Sequence, residues 1–255
     1  MLEDKPTHMN DVTETPLFVL PMGLFPQTIE PLRVFEPRYK QMLDDCVLND
    51  KPFGYVAADP TLDGIAGWSP PSEYGVLTLA QDLEEQGTNL VFTAHGNVRF
   101  RIIKVIPAAL PAMPFGDIFP SVDELVEEYI DDDPNGKLYL RGEIQQLPAL
   151  SGTVETSRWD SLVESWAKYL VIVDSLLRSS GLDLEDVLAI MEEEFMTYTE
   201  SGLWSACQSV LTEHEERQSA LASEDVDQVI TILEDSINAK MIQIDFIQSM
   251  LDKEE

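Results

Sequence analysis

Residues Leu24 to Cys46 read LFPQTIEPLRVFEPRYKQMLDDC, and the punctuation of this stretch decides how the rest of the chain is read. Just before it, Leu17-Phe18-Val19-Leu20 is a strand candidate ended by Pro21. Met22 to Pro31 holds Gly23, Pro26 and Pro31, so it is a turning connection. Leu32 to Phe35 then reads as a short strand. Glu36-Pro37 opens a helix, because a proline at the first helical position gives up no hydrogen bond and already has a helical φ. Tyr39, Met42, Leu43, Cys46 and Val47 follow at helical spacing, and Asn49-Asp50 stops the helix.

Downstream of this stretch the first half is rich in strands. Phe53 to Ala58 is an apolar strand, residues 59–73 form a loop rich in Pro and Gly, and Tyr74 to Ala80, Leu90 to His95 and Val98 to Ile106 are further strands. Gly96-Asn97 between the last two is a two-residue hairpin signal. Residues 107–137 carry five prolines and read as a surface insertion with a short helix at Val122–Tyr129; Leu138 to Leu147 resumes as a strand. After that the period changes. Trp159, Leu162, Trp166, Leu170, Val173 and Leu177 step by three or four along a helix closed by Gly181. Leu184–Met196 and Leu203–Leu211 are two more helices, and Val226 to Leu251 is a long one with a stripe close to a heptad. Strands first and helices second predict an α+β protein. The expected organisation is a disordered tail over 1–15, a β-rich subdomain over 16–150 and a helical bundle over 151–255.

The chain has 255 residues with 47 acidic and 16 basic side chains, a net charge of −31. Residues 108–255 hold 32 of the acids and 8 of the bases, so most of the imbalance lies there. Such a field repels phosphate backbones and anionic lipid, which makes nucleic acid an unfavoured partner and a membrane an unexpected one. A solvated acidic face and a surface for a basic partner are the two readings of the acidity. The polar, acidic start has neither the basic nor the apolar part of a secretory signal. Cys46 and Cys207 form no paired motif, so a reducing cytoplasm is expected.

Catalytic and metal-binding patterns are missing from the sequence. It has no phosphate loop, no GxGxxG and no GxSxG. His214-Glu215 begins like a zinc helix, but position 218 is Gln, so His214 reads as an exposed helix residue. Asp131-Asp132-Asp133-Pro134-Asn135-Gly136 matches the first half of a calcium loop, yet position twelve is Gly142, so the run reads as an acidic turn. No catalytic residue, metal ligand or cofactor is expected.

The opening run resembles the N-terminal substrate-binding domain of the Lon protease family, above all its small stand-alone members, in which "LFP" is followed by "PLxIFExRY" and a helix. Phe53-Gly54, Tyr74 to Ala80, Val91 to Ile103, Tyr139 to Leu147 and Glu216-Arg217-Gln218 with Leu221 and Asp225 extend the resemblance over about residues 16–237. Gln27 departs from the glycine that often follows "FP", and the 107–137 insertion is unusual. The resemblance implies a PUA-like β-barrel subdomain followed by a C-terminal helical bundle. It also implies capture of unfolded or partner polypeptides, without the nucleotide-binding and peptidase modules of a full protease, for which the chain has no room.

The candidate polypeptide-binding residues are Met22, Leu24, Phe25, Arg33, Phe35, Glu36, Arg38 and Tyr39. Each has a structural reading beside it: Met22, Leu24 and Phe25 as a cap of the barrel, Phe35 and Tyr39 as filling of the strand–helix junction, Arg38 as the partner of a carboxylate. Arg99, Arg101 and Lys104 alternate along a strand and either offset nearby acids or bind an anion. Two alternative functions follow: RNA binding by a PUA-like barrel, and service as an adaptor or regulator of a separate ATP-dependent protease. Trp159 and Trp166, seven apart, read as core. The Val226–Leu251 stripe reads as bundle core whose length also permits a homodimer, the alternative being a monomer.

Overall fold

The structure is a computed structural model that describes residues 12–49, 51–112, 120–133, 135–177 and 183–251. The chain divides into two compact units, Met1–Ala149 and Leu150–Glu255. Among the described residues, strands come first and helices second, so the α+β expectation holds. Gly181, Asp50 and residues 1–11 lie outside the described residues.

In the first unit β1 (Val12–Leu20) has two partners. Val12–Pro16 pairs antiparallel with β6 (Arg141–Gln146), and Leu17–Leu20 pairs parallel with β3 (Phe53–Ala58). Residues 12–15, expected in a disordered tail, are therefore strand; the ladder with β6 fixes them. β2 (Ile29–Val34) is followed by α1 (Pro37–Val47), which begins at the predicted proline. β4 (Pro71–Gln86) and β5 (Asn89–Ile106) are long. The strand order is β2-β5-β4-β3-β1-β6, and a further β5–β6 ladder makes a ring of β5, β4, β3, β1 and β6.

The expected hairpin at Gly96-Asn97 is a correction: β5 runs through it without a break. The turn sits at Gly87-Thr88, flanked by the pair Gln86 and Asn89, and Gly87 has φ +66°. Gly96 is needed for a different reason. A Cβ there would stand 2.4 Å from the Phe25 carbonyl oxygen, so only glycine lets β5 approach the Pro-rich turn. Asn97 and Val98 then face the single residue Leu77 across a β-bulge. A sequence signal for turning was a signal for close approach.

Side-chain alternation along β1 feeds two cores. Phe18 enters an aromatic cluster under α1, with ring centroids 4.4 Å from Tyr39, 5.8 Å from Phe53 and 5.9 Å from Tyr55. Leu17 and Val19 point the other way, into a cluster with Val56, Phe100 and Ile144. The 107–137 segment is more than a surface loop. Its helix α2 (Val122–Tyr129) falls where predicted and starts with a Ser121–Glu124 capping box. Leu110, Leu125 and Leu138 are buried together in a small core of their own.

The helical unit contains α3 (Thr156–Leu177), α4 (Leu184–Phe195), α5 (Glu200–Val210), α6 (His214–Ala222) and α7 (Val226–Leu251). α6 is a helix that apolar periodicity did not register as an element. Its buried Arg217 donates to the Leu211 carbonyl and to Gln208 Oε1, each at 2.8 Å, so a cation occupies a core position there. Trp159 and Trp166 are buried; the indole N–H of Trp159 donates to the Phe195 carbonyl at 2.8 Å. Arg158 fastens α3 to α7: Nε and Nη2 donate to the two Glu234 oxygens at 2.9 and 2.7 Å, and Nη1 pairs with Asp227.

Candidate functional site

The exposed edge strand β2 carries the candidate site. Among the described residues it pairs with β5 alone and so ends the strand order. Alternation sorts its side chains: Val34 is buried and Leu32 packs against the aromatic cluster, while Ile29, Pro31 and Arg33 face outward. Phe35 extends the outward series one step past the strand. Ile29 is 59% and Phe35 50% exposed, high values for large apolar side chains. Residues directly opposite one another share a sheet face, so Ile29, His95 and Leu79 form one row and Pro31, Thr93 and Gln81 the next. Leu79 is also exposed. The result is a row in which the exposed apolar Ile29 and Leu79 flank His95, ending at an open strand edge.

The eight candidates separate clearly. Met22, Arg33 and Phe35 are exposed, Met22 in the turn after β1 rather than on β2. Leu24, Phe25 and Tyr39 are buried, and as contact residues they are corrected to core. Phe25 supports the turn through its carbonyl, which accepts from Thr28 Oγ1 at 2.7 Å. Tyr39 donates its hydroxyl to the Val19 carbonyl at 2.8 Å, and burial pushes its pKa up to about 12. Glu36 and Arg38 form a 2.8 Å ion pair. The Arg38 guanidinium is also stacked between two rings, 4.1 Å from the Tyr39 centroid and 3.8 Å from that of Trp68. Trp68 in turn donates to the Leu110 carbonyl at 2.7 Å. Arg38 is therefore the partner of a carboxylate, the structural alternative set out for it, and it also braces the loop that carries Trp68. Arg33 lies beside Asn89, whose amide oxygen, turned toward it, accepts from Nε at 3.1 Å and Nη2 at 2.6 Å.

Ile29 and Leu79 belong to the exposed row and were not singled out from sequence. The signal for Ile29 was present, because Ile29, Pro31, Arg33 and Phe35 alternate. Pro31 hid it by suggesting a turn; on an edge strand a proline is tolerated.

The basic strand residues are engaged with their own neighbours. Arg99 is buried and donates to the Pro148 carbonyl at 2.7 Å. Arg101 meets Glu73 at 2.6 Å and Lys104 meets Glu143 at 3.1 Å. In the acidic run, Asp133 Oδ1 accepts from the Asn135 backbone N–H at 3.1 Å, an Asx-type turn; Pro134 lies outside the described residues. Among the described residues no group of three or more His, Cys, Asp or Glu is arranged to hold a metal ion. Burial pushes the Cys46 thiol up to about 12, so it is not a thiolate at neutral pH. What the edge offers chemically is contact: apolar surface, one arginine and backbone hydrogen-bonding groups. Elsewhere, a cavity of about 480 Å³ in the helical unit is lined by Val163, Leu188, Phe195 and Met196 with Asp160 and Glu164. No helix among the described residues is long and apolar enough to cross a membrane.

Comparison with known proteins agrees with this architecture. A search of curated protein sequences gives no match. Among solved structures, a Lon N-terminal domain protein from Xanthomonas campestris superposes with a TM-score of 0.53 at 21% identity, covering 87% of this chain and 98% of that one. The N-terminal domain of the Mycobacterium avium complex Lon protease gives a TM-score of 0.48 at 14% identity, over 89% of this chain and 98% of that one. The family model of the ATP-dependent protease La (Lon) substrate-binding domain matches residues 14–238, a span that holds both the edge strand and most of the helical unit, and the chain belongs to that family.

Proposed function

We propose that this protein binds extended, unfolded or partner polypeptide along the open edge of β2, reversibly and without nucleotide. The observation that carries the reading is the exposure of Ile29 and Leu79 in one row, and of Phe35 just past the end of β2, beside a strand edge that lacks a second partner among the described residues. An extended segment gains backbone hydrogen bonds at such an edge and buries alternate apolar side chains against the row. Pro31 removes one backbone donor, which weakens continuous pairing and protects the edge from aggregation. Membership of a substrate-binding family supports the same reading, and its match includes no protease or ATPase domain. The protein then acts as a non-catalytic module of the cytoplasm, where Cys46 and Cys207, both buried and free, stay reduced. The β-rich subdomain carries the binding.

The test is fluorescence anisotropy of a labelled, permanently unfolded polypeptide titrated with the full chain. Saturable binding that is kept or strengthened at high salt is expected, since apolar burial drives it. Phe35→Ser with Ile29→Ser should weaken it about tenfold, the effect of losing roughly 1.4 kcal/mol. Binding of single-stranded RNA that falls steeply with salt, with none to the polypeptide, would replace this reading by the RNA alternative.

A further inference from the structure

We propose that the C-terminal half of α7 is a self-association surface whose partner is a second copy of this chain. Ala239, Ile242, Phe246 and Met250 step by three, four and four along one side of the helix. At 100° per residue this is the side opposite Ile237 and Ile244, which are buried. Ile242 is 69% and Phe246 64% exposed, and Ile247 and Met250 are each about half exposed. Together these four leave on the order of 500 Å² in water, at the upper end of the largest patch an ordinary monomer shows.

Charge selects the partner. Residues 150–255 carry 23 acidic and 6 basic side chains, but Ser236–Met250 holds one of each, Lys240 and Asp245. A two-fold interface sets a surface against itself, so in a chain of net charge −31 nearly every face repels its own copy. This neutral apolar face does not. A basic partner, by contrast, gains nothing here that the acidic surfaces do not offer more strongly. Position agrees as well: the family match ends at residue 238, so the exposed stripe lies on an extension of α7 beyond it. Pairing two such faces buries ~1,000 Å² in all, the lower bound for a specific interface, and predicts a weak, concentration-dependent dimer.

Sedimentation equilibrium of the full chain tests this. The expected result is a monomer at low micromolar concentration, a dimer approaching 100 µM, and association severalfold stronger at about 0.5 M salt than at about 0.05 M, as screening removes repulsion between two acidic copies. Ile242→Glu with Phe246→Glu should weaken association more than tenfold at unchanged far-ultraviolet circular dichroism, while Phe246→Leu keeps it. A monomer at every concentration and salt, or a dimer indifferent to the double glutamate variant, overturns the proposal. Should that variant lose helicity, the salt dependence of the unaltered chain decides: strengthening supports the face, weakening overturns it.

Discussion

The two units use their most legible sequence features in opposite ways. In the β-rich unit, the run from Leu24 to Cys46 that marks the family is mostly absorbed into architecture: Leu24, Phe25 and Tyr39 are core, and Arg38 is held between Glu36, Tyr39 and Trp68. Its exposed apolar surface lies on an edge strand that the run contains but does not advertise. In the helical unit, the C-terminal half of α7 carries a second apolar face, opposite the stripe that the bundle buries. Val226, Ile230, Leu233, Ile237 and Ile244 are buried on one side, while Ile242, Phe246 and Met250 lie in water on the other. A distinctive motif thus marks packing in one unit, and a helix with apolar residues on two sides leaves an open surface in the other. Distinctiveness in sequence and availability in structure are different properties, because shape constraints on a core are narrower than those on a contact face.

The sharpest test of this comparison removes one central aromatic from each unit. Phe18→Ala and Trp159→Ala should each cost about 3–5 kcal/mol in urea unfolding, because both side chains fill aromatic cores. If the two units unfold separately, each variant lowers only its own transition; a single shared loss would show that they unfold together.

Smaller effects separate the two arginines. Arg158→Ala should cost about 1–2 kcal/mol, since Glu234 is left without its two-pronged partner while the site stays partly solvated. Arg158→Lys should recover only part of this, because an ammonium cannot reproduce the fork. Arg38→Ala should cost less in global stability but raise proteolytic cleavage in the 59–70 loop that Trp68 anchors.

Alkaline pH bears on the β-rich unit. Burial raises Tyr39 and Cys46, each to about 12 in the folded state. The unfolded chain therefore loses these protons first, and stability falls as pH rises. The contribution is complete below about pH 7.5, where an unfolded thiol of pKa about 8.5 begins to ionise, and is lost by about pH 12. Urea midpoints measured between pH 8 and 11 should decline, and Phe replacing Tyr39 should flatten the upper part of the decline. The smallest stability effect belongs to Phe35→Ser: within about 0.5 kcal/mol, as for other surface positions, although polypeptide binding weakens.

Local chemistry was legible. Pro37 at the first helical position, the period of Val226–Leu251 and the Val122–Tyr129 helix each depend on residues within a few turns, so the sequence reading matches the structure there. α6 escaped because a buried arginine breaks its apolar pattern and finds its acceptors in residues outside the helix. Gly96 was misread because its neighbour in space, the Phe25 carbonyl, is distant in sequence. The same limit applied to the proposed contact surface: Leu79 joins Ile29 only through β5, a relation that pairing register creates.

By itself, then, the sequence determined the class of the protein, the order of strands and helices, the acidic field and the family. These follow from periodicity, composition and short motifs, each summed over neighbouring residues. Tertiary structure alone decided which apolar residues remain in water. Exposure is a property of the whole packed chain: Phe35 and Tyr39 lie four residues apart in one motif, and only the placement of α1 over β1 buries one and leaves the other outside.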